Sequence, residues 1–416
     1  MTAFLLITIV ICLCAFFSYL NVKWLKLPPA IGLMILALIF SIAVSVAGHF
    51  NSPFHDKVLT LIKEINFTDT LFQIMLSFLL FAGSLHVSLR EMKKQQAAVI
   101  SFSTLGVALS VFLFGGAIYY IFRWFNYPVD LIYCLLFGAL VSPTDPIAVI
   151  GILKKSSMPK ELEIVVSGES LFNDGMGVVF FVTIYRVLEK GIDHLSVPDI
   201  VMIFGQEVLG GLALGLCLGI FAFYLIKNID HYQTEVLISI ALVMVCSEIA
   251  QLLHVSGPLA AVVVGLYVGN RVRKSAMSDT SRDYHDKFWE LIDESLNAML
   301  FMLIGLQMVL LPFLWHHLLI GIIGILILLL CRYLSIILPM WFLKNKQLYN
   351  AKTGLILTWG GLRGGISVGL ALGLAEGPFR EVVLSTTYII VIFSIIVQGL
   401  TTGKLAQRLY RSPISK

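Results

Sequence analysis

Val141-Ser142-Pro143-Thr144-Asp145-Pro146 sits in the middle of an otherwise apolar run, residues 131–153, and its reading decides the fold. Each proline removes a backbone donor and strains the turn before it, so a helix through this run breaks near its centre. Within a membrane, backbone groups freed by a break are tolerated only inside protein or around a polar cavity. Freed carbonyls beside the Asp145 carboxylate make a place for a cation. A kinked helix with a structural aspartate is the plainer alternative.

The rest of the chain supplies the membrane. Of 416 residues, 58% are hydrophobic and 13% charged, with mean hydropathy +0.92; soluble domains carry about 25% charged residues. A chain this apolar has lipid as its solvent. A membrane helix takes about 20 apolar residues, and about 13 such stretches fit. They fall near 4–22, 28–48, 68–89, 97–122, 131–153, 160–186, 199–226, 234–253, 257–270, 288–312, 315–343, 350–374 and 381–403. This predicts an all-α polytopic membrane protein, one transporter domain over 1–416. The ninth stretch is short enough to be broken or strongly tilted. The first has no basic residue before its apolar run and outlasts a signal-peptide h-region, so it reads as a retained helix. The six cysteines lie inside predicted helices at no metal-ligand spacing and read as packing residues.

Basic residues sort onto alternate loops. Of the 29 Lys and Arg, 21 lie on the loops that follow the odd-numbered segments, six lie on the opposite side, and Arg332 and Arg363 fall inside helices. Cytoplasmic loops carry the excess, which predicts a plasma (inner) membrane protein with its N-terminus outside and its C-terminus in the cytoplasm. A net charge of +4 calls for no nucleic-acid partner. The basic loop 271–287 could touch anionic lipid, but topology signalling accounts for it.

A charge at mid-bilayer costs on the order of 3 kcal/mol, so buried ionisable groups are functional candidates. The sixth stretch contains Gly168-Glu169-Ser170-Leu171-Phe172-Asn173-Asp174-Gly175. Helical spacing puts Ser170 and Asp174 on one face and Glu169 and Asn173 on a neighbouring ridge. Gly175 and Gly177 admit a close neighbour. The twelfth stretch contains Trp359-Gly360-Gly361-Leu362-Arg363-Gly364-Gly365. Four glycines around one arginine loosen the helix, and Arg363 needs an anionic partner; Glu169 and Asp174 are the acids available. A glycine packing patch is the alternative. Stretches five and twelve cross the membrane in opposite directions. Each is fifth in its own half if 1–6 and 8–13 are repeats, the arrangement of inverted-repeat transporters with a site at the midplane. Glu207 and Glu248 could line a dimer interface or a funnel, Arg332 lacks an obvious partner, and His231, His254, His316 and His317 read as interfacial.

The motifs Ser142–Pro146, Gly168–Gly175 and Gly360–Gly365, with Ser256-Gly257-Pro258-Leu259-Ala260 and Gly265-Leu266, resemble NhaP-type sodium/proton antiporters and the animal sodium/hydrogen exchangers, within the monovalent cation:proton antiporter superfamily. The resemblance spans nearly the whole chain. It implies a homodimer in lipid, each protomer divided into a mobile core (about 68–186, 288–312 and 350–403) and a dimerisation scaffold (about 1–48 and 199–270), with 315–343 assigned to neither. It implies that Asp145 and Asp174 carry Na⁺ and proton, with Thr144 and Ser170 adding oxygen ligands. Glu169 and Arg363 would form a structural ion pair, Asn173 would steady the site, and the Asn173-Asp174 order would make exchange electroneutral. Many relatives carry a glutamate in stretch three, where this chain has Ala82.

The expected activity is therefore exchange of Na⁺, or Li⁺, for H⁺ by alternating access, with K⁺/H⁺ exchange as the alternative. No cofactor is expected, the transported ions being the substrates, and no enzymatic activity. Two buried carboxylates titrate as a unit, hold a proton at moderate pH, and release it to a competing cation. A channel is disfavoured because no repeated filter-like carbonyl sequence occurs. An intramembrane enzyme is disfavoured because no catalytic pattern accompanies the aspartates.

Overall fold

The computed structural model describes residues 3–48, 52–64, 70–145, 158–191, 194–310, 315–343, 345 and 348–410. Its helices are α1 Phe4–Leu25, α2 Pro29–Gly48, α3 Ser52–Glu64, α4 Thr70–Leu85, α5 Gln96–Trp124, α6 Leu131–Val141, α7 Lys160–Lys190, α8 Val197–Ile226 and α9 Tyr232–Leu253. Then come α10 Gly257–Tyr267, α11 Asp279–Gln307, α12 Trp315–Met340, α13 Ala351–Trp359, α14 Gly365–Leu372 and α15 Phe379–Tyr410. Among the described residues, eight helices are long and apolar enough to cross a membrane. No strand occurs among them, only one isolated antiparallel bridge between Asp145 and Leu362.

Local chemistry sets several boundaries. The Ser256 hydroxyl accepts from the Leu259 amide at the start of α10, where Pro258 occupies the first turn. Asn350 caps α13 by accepting from the Lys352 and Thr353 amides. Asp199 and Ser196 cap α8 reciprocally. Each supplies a partner to backbone groups that the first helical turn leaves open.

Packing follows the small residues. Helix α11 lies along α2, and α10 is held between α4 and α8. Gly211, Gly215 and Gly219 of α8 face α10; a Cβ at Gly215 would stand 2.6 Å from the Ala260 carbonyl oxygen. Small residues at four-residue spacing let membrane helices approach to backbone contact. On the other flank, a Cβ at Gly269 would stand 2.1 Å from the Leu85 carbonyl oxygen. Gly269→Ala is therefore expected to destabilise by about 1–3 kcal/mol, the usual range for overpacking. It should show as a lower thermal midpoint of the purified protein, and an unchanged midpoint would remove this close approach.

The structure departs from the expected segments in several places. The ninth stretch is neither short nor broken: α10 continues as a π-helical turn, Val268–Val272, and on through Arg273–Ser275. Asn270 and Arg271 lower the hydropathy there, yet the Asn270 amide is anchored on the Val87 and Leu266 carbonyls. Helix α3 has no counterpart among the expected stretches; its exposed Asp56, Lys57 and Thr60 against buried Ile62 hide it from a hydropathy search. His317 is buried within the protein. The cysteines are all free, four of them buried. Pro146, the second half of the fifth stretch, Lys154, Lys155, Lys344, Lys346, Arg411 and Lys416 lie outside the described residues.

Candidate ion-binding site

Two breaks in the helical path meet at the site. Helix α6 stops at Val141, Ser142 keeps a helical backbone conformation, and Pro143 and Thr144 lead without regular structure to Asp145. The second interruption separates α13 from α14 at Gly360–Gly364. The breaks run antiparallel, and the Asp145 amide donates to the Leu362 carbonyl at 2.7 Å. A Cβ at Gly364 would lie 2.9 Å from the Asp145 Cβ and 3.0 Å from Oδ2. Only glycine permits this approach, which sets the N-terminus of α14 beside the Asp145 carboxylate. The positive end of a helix dipole favours an anion there.

Arg363 serves the broken backbone. Its Nη1 donates to the Ser142 carbonyl at 2.6 Å and the Pro143 carbonyl at 3.0 Å, at the C-terminal, negative end of α6. Carbonyls expected to face a cation are thus acceptors for a buried guanidinium. The Arg363 amide donates to the Ser394 hydroxyl at 2.8 Å. That hydroxyl donates to Gln398 Oε1 at 2.6 Å, and Gln398 Nε2 donates to the Trp359 carbonyl at 3.0 Å. A π-helical turn, Phe393–Gln398, carries both side chains. Ser394 and Gln398 close off backbone groups opened by the second break. The sequence reading missed them because neither is charged.

Helix α7 supplies the acids. Asn173 Oδ1 accepts from the Thr144 amide at 3.2 Å, while its Nδ2 donates to Thr144 Oγ1 at 2.5 Å and Glu169 Oε1 at 2.7 Å. One amide side chain therefore ties α7 to the first break. Thr144 Oγ1 lies 3.5 Å from Ser170 Oγ. Gly177 takes Pro143, and Gly175 takes Leu259; a Cβ at either would meet a side-chain carbon at 2.5 Å. Both close approaches anticipated for these glycines are present.

The expected ion pair between Glu169 and Arg363 is not formed. Glu169 Oε1 instead accepts from Arg332 Nη2 at 2.8 Å, with both side chains 2–3% exposed. Arg332 reaches in from α12 beneath the second break, its Nε close to Gly361. Arg363, turned toward the α6 carbonyls, does not reach the acid. The lone arginine in a 26-residue apolar helix was the available signal, since a buried base needs a buried acid. Glu207, left open from the sequence, pairs with Arg186 at 2.8 Å.

A cavity of about 470 Å³ holds Asp145, Asp174 and Ser170 on its wall and extends to the surface at Glu91 and Lys160, themselves paired at 3.2 Å. Thr144 is fully buried against Asn173, one layer behind. Asp293 and Asn297 of α11 line the same cavity; no motif marked them, because they stand in an acid-rich stretch that reads as a solvated helix end. Ala82 is buried in an apolar cluster with Phe81 and Trp289, whereas Gly83 lines the cavity. Around the crossing, Asp145, Asp174 and Glu169 face two guanidinium groups, Arg332 and Arg363. With all five ionised, and Asp293 farther along the cavity left aside, this leaves one net negative charge at the crossing. A single bound proton or monovalent cation neutralises it.

Comparison with known proteins agrees with this architecture. Residues 9–408 match the family model described as sodium/hydrogen exchanger, transmembrane. The chain is 45% identical to the Na⁺/H⁺ antiporter NhaP of Pseudomonas aeruginosa over 99% of its own length and 98% of that protein. It is 32% identical to the Na⁺/H⁺ antiporter NhaH of Halobacillus dabanensis, over 93% of each. The structure of the sodium proton antiporter MjNhaP1 from Methanocaldococcus jannaschii at pH 8 superposes with a TM-score of 0.76 at 19% identity, covering 99% of this chain and all of that one, so the fold is shared. A chain of this length, matched over nearly all of it and folded around two crossing helix breaks, belongs to the sodium/hydrogen exchanger family.

Proposed function

We propose that this protein is a secondary active antiporter that exchanges Na⁺ for H⁺ at the Asp145–Asp174 pair. The observation that carries the reading is the placement of both carboxylates on one cavity beside the two crossing helix breaks. Ser170 adds an oxygen at the cavity wall and Thr144 one behind it. Asn173, Glu169 and Arg363 support the site, Asn173 by holding Thr144 and Glu169 together. The names of the relatives favour Na⁺ over K⁺.

Hard monovalent cations prefer oxygen ligands, and a carboxylate supplies oxygen and charge together. Proton and cation compete for the pair, so the site is neutral with either one bound. If only the neutral site passes between the two faces, one Na⁺ leaves for each H⁺ that enters. No net charge then crosses, and a membrane potential, worth about 2.3 kcal/mol per charge per 100 mV, does no work on the cycle.

The moving part is the core (68–186, 288–312, 350–403), carried against the scaffold (1–48, 199–270). The Arg332–Glu169 pair supports placing 315–343 with the core. Glu248 is exposed on α9 near Met244, Val245 and Leu252; an acid among acyl chains is costly, which supports a second copy covering that face in a homodimer. The cavity reaches the end of the molecule bearing Arg90, Lys93 and Lys160. The loop-charge rule puts that end in the cytoplasm of a plasma (inner) membrane, with the N-terminus outside. The cavity in this conformation therefore faces inward.

The test is Na⁺-driven dequenching of an internal pH dye in proteoliposomes, with and without an imposed potential. Saturable H⁺ flux with Na⁺ and Li⁺, unchanged by voltage, is expected. Flux driven equally by K⁺ would overturn the selectivity, and a rate that follows the imposed potential would overturn one-for-one exchange.

A further inference from the structure

Asp293 and Asn297 stand one turn apart on α11, and both line the cavity that holds Asp145 and Asp174. Asn297 Nδ2 donates to the Asp293 carbonyl at 2.9 Å and to the Asp293 carboxylate at 3.1 Å. A carbonyl oxygen only accepts, so the amide cannot be the other way round. The amide is thereby fixed with its nitrogen as the end that meets Asp293. Its oxygen, Asn297 Oδ1, has no hydrogen-bond partner although the residue is only 5% exposed. A buried acceptor left unpaired is unfavourable, and its presence calls for something to fill the place.

The chemistry of the gap identifies the occupant. Among the described residues Asp293 has no ion pair, and Lys160, also on the cavity wall, is engaged by Glu91. Asp293 also lies within electrostatic reach of Asp145. The Asp293 carboxylate and the unpaired Asn297 oxygen are hard oxygen donors, suited to alkali cations rather than soft metals. A calcium ion would require more carboxylates than the single one Asp293 supplies beside Asn297. Two side chains cannot complete a cation's shell, so it keeps part of its water, and such a site is weak and exchanges quickly. Passage along a pathway requires sites that attract an ion without trapping it.

We propose that Asp293 and Asn297 form a second monovalent-cation site in the cavity, a station that Na⁺ occupies before it reaches the Asp145–Asp174 pair. The proposal rests on the exchange reading above, but it concerns capture of the ion rather than its exchange for a proton. Asp293 raises the local cation concentration at the deeper pair, as a like-signed cleft does for any oppositely charged substrate. The Asn297 oxygen fixes where the ion pauses.

The experiment measures the Na⁺ dependence of exchange in proteoliposomes for Asp293→Asn, Asn297→Ala and Asp293→Glu, together with thermal midpoints. Asp293→Asn is expected to raise the half-saturating Na⁺ about tenfold, the order for one carboxylate acting through a partly hydrated cavity. Its maximal rate should fall much less. Asn297→Ala should raise the half-saturating concentration in the same direction, and Asp293→Glu should restore it. In addition, ²²Na⁺ binding to purified Asp174→Asn protein should retain a weak component that disappears on adding Asp293→Asn.

A half-saturating Na⁺ unmoved in Asp293→Asn overturns the station. So does a loss of maximal rate and thermal midpoint without a change in Na⁺ dependence, which is the signature of a purely structural role. Should Asp293→Asn fail to fold, Asn297→Ala decides alone, by the same shift or its absence. Failure of the exchange reading would look different: Asp174→Asn would still drive proton flux.

Discussion

Asp174→Asn, and separately Asp145→Asn, should give a folded protein in which Na⁺-driven proton flux falls to that of protein-free liposomes. Asparagine keeps the shape of the side chain and one oxygen but cannot take up or release a proton and carries no charge. The net negative charge of the crossing would disappear, leaving nothing for either proton or cation to neutralise. Folding should survive, because the change removes one charge from a site crowded with carboxylates and keeps the shape of the side chain. The thermal midpoint is therefore expected to stay level or rise while transport is lost. That opposition is what separates a transport residue from a packing residue. Wild-type dye dequenching in Asp174→Asn would sink the assignment, whatever the family.

Arg332→Ala should have the largest effect on stability. It leaves Glu169 buried and charged, with Asn173 as its remaining partner, and removing one member of a buried pair costs about 3–5 kcal/mol. Glu169→Gln in the same chain should recover a large part of that loss, since the orphaned charge goes with it. Thermal unfolding of the wild type, the two single variants and the double variant forms a cycle that isolates the pair. Strictly additive losses would mean that the Arg332–Glu169 contact contributes nothing. Arg363→Ala should behave differently, because its guanidinium serves the Ser142 and Pro143 carbonyls and a Glu169 substitution has nothing to restore there.

Much of this protein is legible in one dimension because membrane burial writes strong local signals. Twenty apolar residues in a row, a proline on each side of Asp145, and glycines around Arg363 each carry a meaning that depends only on near neighbours in the chain. The all-helical membrane class and the breaks after Val141 and at Gly360–Gly364 followed from those signals, which also singled out Asp145 and Asp174 as candidates. Asn173 stood out as a candidate support, but its bonds to Thr144 and Glu169 could not be drawn from sequence. Helix α3 and the continuation of α10 were missed for the converse reason: polar residues at a helix end look the same in sequence whether they face water or bond to a neighbouring helix.

Which side chain meets which was decided by tertiary structure alone. Glu169 could be satisfied by either arginine, since charge complementarity is blind to sequence distance. The path of α12 beneath the second break brought Arg332 to it, and the turn of Arg363 toward α6 removed the other choice. Asp293 and Asn297 became part of the ion pathway only when α11 packed along α2 and turned one face to the cavity. Sequence determined where the backbone must break and that charge must be buried there, because those demands are local. Folding decided how the buried charges pair and what faces the ion, because these depend on helices that are hundreds of residues apart and come together only in the packed protein.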